Sequence, residues 1–184
     1  MIKKVIVIFI FILFIKTTHA EEDIMILKLK DGNVIIELFT DTAPNHVKRF
    51  KQLANEKKYD GVVFHRVIDG FMAQTGDVEF GNSNSESYDI RRAGTGGSKY
   101  LDLKAEFSNI PHERGTLSMA RSAHPDSANS QFFICFEAAP SLDRQYTVFG
   151  KVVKGMEFVD LIKRGEGSNG EVLDPDKIIS LSAK

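Results

Sequence analysis

Cysteine is almost absent: the 184-residue chain has one, Cys135. A single thiol excludes an intrachain disulfide and every CxxC metal or redox motif. It lies in the apolar run Gln131-Phe132-Phe133-Ile134-Cys135-Phe136 with no basic sequence neighbour to lower its pKa, so a buried structural thiol is expected. An excess of one charge is missing as well. Lys and Arg number 24 against 25 Asp and Glu, a formal net charge of −1, and no basic cluster interleaves with aromatics. That removes nucleic acid from the expected partners. No GxSxG occurs, so a serine hydrolase built with His65 and Asp77 lacks its nucleophile motif. The glycine-rich Ala93-Gly94-Thr95-Gly96-Gly97-Ser98 lacks the spacing and lysine of a P-loop and is read as a structural turn. There is no internal repeat and no sign of a second domain, and the length suits one domain with a sizeable core.

Long hydrophobic runs are also missing. The longest, Val5 to Ile15, has eleven residues and is ended by Lys16, short of the roughly 20 that span a bilayer. With Lys3 and Lys4 before it and Thr18-His19-Ala20 after it, the pattern is that of a secretory signal over residues 1–20. Glu21 and Glu22 follow, not the cysteine that a lipid anchor requires. The expected mature form, residues 21–184, keeps 21 basic and 25 acidic residues, a balance of −4. It is expected to be exported to the periplasm and not embedded in a membrane.

What is present is mostly strand-like. Ile24–Leu29 and Val34–Phe39 flank Lys30-Asp31-Gly32-Asn33, a hairpin turn signal. Asp41-Thr42 offers an N-cap and Pro44 a first-turn proline. Val47, Phe50, Leu53 and Ala54 then recur at helical spacing, which predicts a helix over 42–56 with His46 and the lysines on its solvated side. The stretch Phe64 to Asp77 reads as strand, Asp69-Gly70 turn and strand. Residues 81–88 are polar and predict a surface loop. Strands are expected at 115–120, 131–136, 147–153 and 178–181, and a second helix over 155–164. Many short strands and two helices predict a mainly β fold: a closed antiparallel barrel with helical lids.

At this point the sequence resembles the cyclophilins, a family of peptidyl-prolyl cis–trans isomerases. The carrying segments are Phe64-His65-Arg66-Val67-Ile68, Phe71-Met72-Ala73-Gln74 with Gly76-Asp77, Gly94-Thr95-Gly96-Gly97, Leu117-Ser118-Met119-Ala120, Ser130-Gln131-Phe132-Phe133-Ile134 and Val148-Phe149-Gly150-Lys151-Val152. They stand in the family's order across nearly all of the chain after Ile24. The resemblance implies an eight-stranded antiparallel barrel capped by two helices. It implies Arg66 as the catalytic arginine, with Phe71, Met72, Phe133 and Leu142 walling a proline pocket. Gln74 and Gln131 would hold the substrate backbone and orient the arginine, and Ala120 and Arg121 would bind peptide through main chain. Tyr146 stands where eukaryotic members usually carry histidine. Ser141 falls where the family often has tryptophan, which implies poor cyclosporin binding.

The function these readings predict is isomerisation of X–Pro bonds in unfolded or newly exported proline-containing polypeptides, by a monomer without metal or cofactor. The alternative is a peptide-binding chaperone or interaction module on the same fold, with little catalysis. His65 is expected to be structural, and His112 and His124 receive no role.

Overall fold

A computed structural model describes residues 23–184; the expected export signal at residues 1–20 lies outside them. In chain order the elements are β1 (Ile24–Lys28), β2 (Asn33–Leu38), α1 (Pro44–Asn55), β3 (Arg66–Ile68), β4 (Met72–Thr75), β5 (Thr116–Met119), β6 (Phe132–Cys135), a 3₁₀ turn (Pro140–Leu142), β7 (Val148–Lys154), α2 (Met156–Asp160) and β8 (Ser180–Ala183). All eight strands join one antiparallel sheet in the order β3-β4-β6-β5-β7-β2-β1-β8.

That sheet corrects the expected closed barrel. It is an open, curled half-barrel, because its end strands β3 and β8 do not pair with each other. The irregular return between α2 and β8 fills the seam instead. Its backbone meets the β3 segment through Val67 N–H to Gly170 O at 2.7 Å, Gly165 N–H to Val67 O at 2.9 Å and Val172 N–H to His65 O at 3.1 Å. Only single bridges form there, Arg66 with Glu171 and Val63 with Lys177. Three glycines and Pro175 between 165 and 175 keep this stretch from becoming a ninth strand.

Period-two alternation sends one set of side chains to a common core. Met25 and Leu27 of β1, Val34, Ile36 and Leu38 of β2, and Phe132 and Ile134 of β6 are all buried in it. From α1 the predicted face, Val47, Phe50, Leu53 and Ala54, packs into the same core. The Phe50 ring lies 5.1–5.4 Å from those of Tyr59, Phe132 and Phe149, at spacings that aromatic pairs favour. Among the described residues no helix is long and apolar enough to cross a membrane.

Two helix expectations are corrected. The cap of α1 is Ala43, not Asp41-Thr42, and it makes no side-chain cap hydrogen bond. The exposed first-turn donors are met from far away: Glu106 accepts from Asn45 N–H at 3.2 Å and His46 N–H at 3.1 Å, and sits 2.7 Å from His46 Nδ1. His46 is therefore fully buried, not on the solvated side. A carboxylate at a helix N-terminus also meets the positive end of its dipole. The second helix is only five residues long. Lys163 leaves it because its backbone N–H bonds Asp176, and Arg164 turns to Asp69 and the Phe136 ring.

Burial lowers the pKa of His46 despite the opposing hydrogen bond to Glu106. For Glu106 burial works upward, but the hydrogen bonds from His46 and Asn45 outweigh it and hold the carboxyl below its ordinary value. Both groups then bind fewer protons folded than unfolded. Their contribution is complete above the unfolded values of 6.5 and 4.5 and is lost as pH falls through the folded ones. We expect Glu106→Ala to cost about 1–2 kcal/mol at pH 7, the scale of a lost helix cap, in urea denaturation. Below pH 4.5 the wild type should lose stability more steeply than Glu106→Gln; parallel curves would reject the cap.

Candidate active site

The same strands carry a second set of side chains on the other face of the sheet. On β3 Val67 points into the core, so Arg66 and Ile68 point away from it; on β4 Met72 and Gln74 do the same. Register aligns them across three strands. Arg66 pairs with Gln74 and Gln74 with Phe133; Ile68 pairs with Met72 and Met72 with Cys135. The Asp69-Gly70 turn that sets this register has Gly70 at φ 66°, left-handed as such a turn needs.

Arg66 is half-buried and held at two points. Its Nε donates to Asn169 O at 3.0 Å and its Nη1 to Gln74 Oε1 at 3.3 Å, with Met72 Sδ at 3.9 Å. From Gln74 a polar chain continues. Its Nε2 donates to Gln131 Oε1 at 3.0 Å, and Gln131 Nε2 donates to Gly94 O at 3.0 Å and Gly96 O at 2.8 Å. The glycine turn is in turn fixed from below by the buried carboxylate of Asp77. Its Oδ2 accepts from Gly94 and Gly96 N–H at 2.7 and 2.9 Å, and its Oδ1 from Glu79 and Phe80 N–H at 3.0 and 2.9 Å. The structural reading of that turn agrees with these bonds. Gly94 has φ +99°, and a Cβ there would lie 2.8 Å from the His65 ring, so no other residue fits.

Beside this polar row lies an apolar cluster. Met72, Phe133 and Cys135 are buried at its centre, with Ile68, Phe71, Ala120, Leu142 and Tyr146 packed against them. Cys135 is buried, as expected, and burial pushes its thiol up to about 12. Tyr146 meets Phe133 edge-on, ring centroids 5.9 Å apart at 79°. The pocket and polar residues that the resemblance implies fall in one patch: Arg66, Gln74 and Gln131 along the polar row, and Phe71, Met72, Phe133, Leu142 and Tyr146 in the cluster. Ala120 and Arg121 stand at the end of β5, where they line a cavity of about 190 Å³ with Gln74, Gln131 and the glycine turn.

A description of the cyclophilin type peptidyl-prolyl cis-trans isomerase/CLD family matches residues 24–183. The chain belongs to this family. It is 61% identical over 159 residues to a probable peptidyl-prolyl cis-trans isomerase of Brucella suis, covering 86% of this chain and 81% of that one. To peptidyl-prolyl cis-trans isomerase B of Bacillus subtilis it is 45% identical over 141 residues, covering 75% and 89%. Among solved structures, a cyclophilin type peptidyl-prolyl cis-trans isomerase of Cryptosporidium parvum, determined in the presence of the dipeptide Ala-Pro, superposes with a TM-score of 0.74 at 26% identity, covering 88% and 98%. The chain is a cyclophilin-type peptidyl-prolyl cis–trans isomerase.

Two histidines of this cyclophilin behave differently from each other. His65 is buried against Gly94, and among the described residues neither ring nitrogen has a partner in good hydrogen-bond geometry. Burial drives its pKa down to about 4, so it is neutral at physiological pH. With Asp77 committed to four backbone donors, His65 and Asp77 do not form an acid–base pair. His112, given no role from sequence, is fully buried. Its Nδ1 lies 2.9 Å from Asp143 Oδ1, its Nε2 3.0 Å from Ser118 Oγ, and its ring stacks under Phe133 at 6.2 Å. Asp143, His112 and Ser118 follow the order of a hydrolase triad, but Ser118 is fully buried and its hydroxyl bonds Thr147 O at 3.0 Å. The array is a floor for Phe133. In the sequence His112 only follows Pro111, a loop signal and nothing more. Ser141 is exposed on the 3₁₀ turn and adds no apolar area to the cluster. Among the described residues no group of three His, Cys, Asp or Glu is placed to hold a metal.

Proposed function

We propose that Arg66 is the catalytic cation of this isomerase, acting on proline-containing unfolded or newly exported polypeptides in the periplasm. The observation that carries the reading is that Arg66 has no carboxylate partner among the described residues. It is positioned by the neutral groups Asn169 O and Gln74 at the rim of an apolar cluster. Its charge is thus held in place yet left for a substrate. The proline ring would sit among Phe71, Met72, Phe133, Leu142 and Tyr146, and the flanking peptide along Ala120 and Arg121; determination of the Cryptosporidium relative in the presence of Ala-Pro accords with this.

The chemistry asks little else. An X–Pro bond isomerises over tens of seconds across a barrier near 20 kcal/mol. A factor of about 10⁴ requires roughly 5.5 kcal/mol. Twisting the amide ends conjugation and leaves a lone pair on the prolyl nitrogen. A fixed guanidinium stabilises that state more than the planar one, which is the condition for catalysis. No bond to substrate is made or broken, so neither nucleophile nor metal enters. With serine at 141, cyclosporin is expected to bind poorly, and the protein to act as a monomer.

The test has two arms. The full chain expressed in a Gram-negative host should appear in the osmotic-shock fraction with its mass reduced by residues 1–20, and residues 21–184 should shorten the slow phase of a proline-limited refolding reaction. Retention of the full-length mass in the cytoplasmic fraction would overturn the exported role and leave the isomerase assignment standing.

A further inference from the structure

Arg121 occupies a position where the resemblance implies main-chain contacts alone. Its side chain nevertheless has a defined place. Nε and Nη2 both donate to Gln145 O, at 3.2 and 3.1 Å, while Nη1 donates to Ser122 O at 2.9 Å and Ala123 O at 3.2 Å. The guanidinium carbon lies 4.5 Å from the centre of the Tyr146 ring. One side chain therefore joins the loop after β5 to the turn that leads into β7. Among the described residues, Gln145 and Tyr146 otherwise hydrogen-bond only within their own turn, to Leu142 and Ser141.

We propose that Arg121 is a positioning residue that fixes the Tyr146 ring against Phe133 as one wall of the proline site. The reading rests on the placement of the proline ring argued above. A guanidinium suits this task because it offers a fork of donors and a flat face together; an ammonium offers neither. Four of its five N–H donors are committed to backbone carbonyls, so it acts chiefly on the ring and not as a donor reaching for substrate. Phe133 holds the ring edge-on from the other side. Without Arg121 that second restraint is gone, and the wall must be ordered each time substrate binds, which weakens binding and leaves the chemical step at Arg66 unchanged.

The experiment measures kcat and KM on an Ala-Pro tetrapeptide, with Tm by circular dichroism, for Arg121→Ala, Arg121→Lys, Tyr146→Ala and the Arg121→Ala/Tyr146→Ala double variant. Arg121→Ala is expected to raise KM about fivefold, the scale of one cation–π contact with its hydrogen bonds, and to change kcat less than about twofold. Lysine should rescue little of this. Tyr146→Ala should raise KM at least as much, and the double variant should be no worse than Tyr146→Ala alone. Additive effects in the double variant overturn the proposal, since Arg121 would then meet substrate directly. So does full rescue by lysine, or a fall in Tm with KM unmoved. If Tyr146→Ala leaves KM where it was, the placement of the proline ring falls, and the clamp with it. Arg121→Lys, the mildest change, keeps the test readable should the alanine variant fold poorly.

Discussion

Arg66→Ala is expected to slow catalysed isomerisation by about 10²-fold while the dissociation constant for an X–Pro peptide changes by less than about threefold. The guanidinium supplies a charge-assisted hydrogen bond of roughly 1.5–3 kcal/mol, made fully only when the prolyl nitrogen has lost its conjugation. Affinity should survive because the apolar cluster around Met72 and Phe133 does not depend on the guanidinium. Arg66→Lys should recover little. A point charge cannot bond Asn169 O and Gln74 Oε1 together as the fork does. The two readouts are a proline-limited refolding rate and a peptide titration. A variant that keeps its rate would remove Arg66 from the mechanism. One that loses rate and affinity together would favour a binding module in which the arginine is an anchor.

The largest effect on stability should come from Asp77→Ala. Four backbone N–H groups, from Glu79, Phe80, Gly94 and Gly96, converge on one buried carboxylate. Truncation leaves all four without an acceptor, and water has little room to replace it. Bonds to a charged acceptor are worth roughly 1.5–3 kcal/mol each, with losses partly relieved by relaxation. A total of about 4 kcal/mol is expected, a fall in Tm of roughly 10 °C for a domain of this size. Asp77→Asn should lie between, because an amide presents one acceptor and turns a donor toward donors. Activity should fall further than stability alone accounts for. The glycine turn anchored by Asp77 also holds Gln131, which orients Gln74 and so Arg66. Urea denaturation reads the first effect, and kcat well below the melting range reads the second. A loss under about 1 kcal/mol would show that the turn holds its shape without the carboxylate.

The hairpin from Phe64 to Asp77 was legible because everything that makes it is local: Asp69-Gly70 sets the turn, and the turn sets the pairing of Arg66 with Gln74. The α1 face was legible for the same reason, since Val47, Phe50, Leu53 and Ala54 are related by helical period alone. His46 was misread because its partner, Glu106, is 60 residues further along and no pattern in the helix announces it. His112 was missed on similar grounds, for it gains meaning only when folding brings Asp143 and Ser118 to its two nitrogens. Openness of the sheet was not legible either. The seam beside β3 is filled by backbone bonds from an irregular, glycine-rich return, and backbone bonding leaves no trace in side-chain periodicity. The site residues came from motif resemblance, and the fold then put them on one face. What alternation could not assign was which of the sheet's two faces would carry the chemistry.

The pairing of β1 with β8 has a consequence for how such a chain assembles. Strand β1, Ile24–Lys28, lies between β2 and β8, Ser180–Ala183, so one edge of it stays unpaired until the distant β8 has been made. A chain that emerges amino-terminus first cannot complete its sheet part-way. Contacts this distant in sequence make folding slow and leave the early strands open to other partners. A peptidyl-prolyl isomerase built on this topology is therefore itself a late finisher.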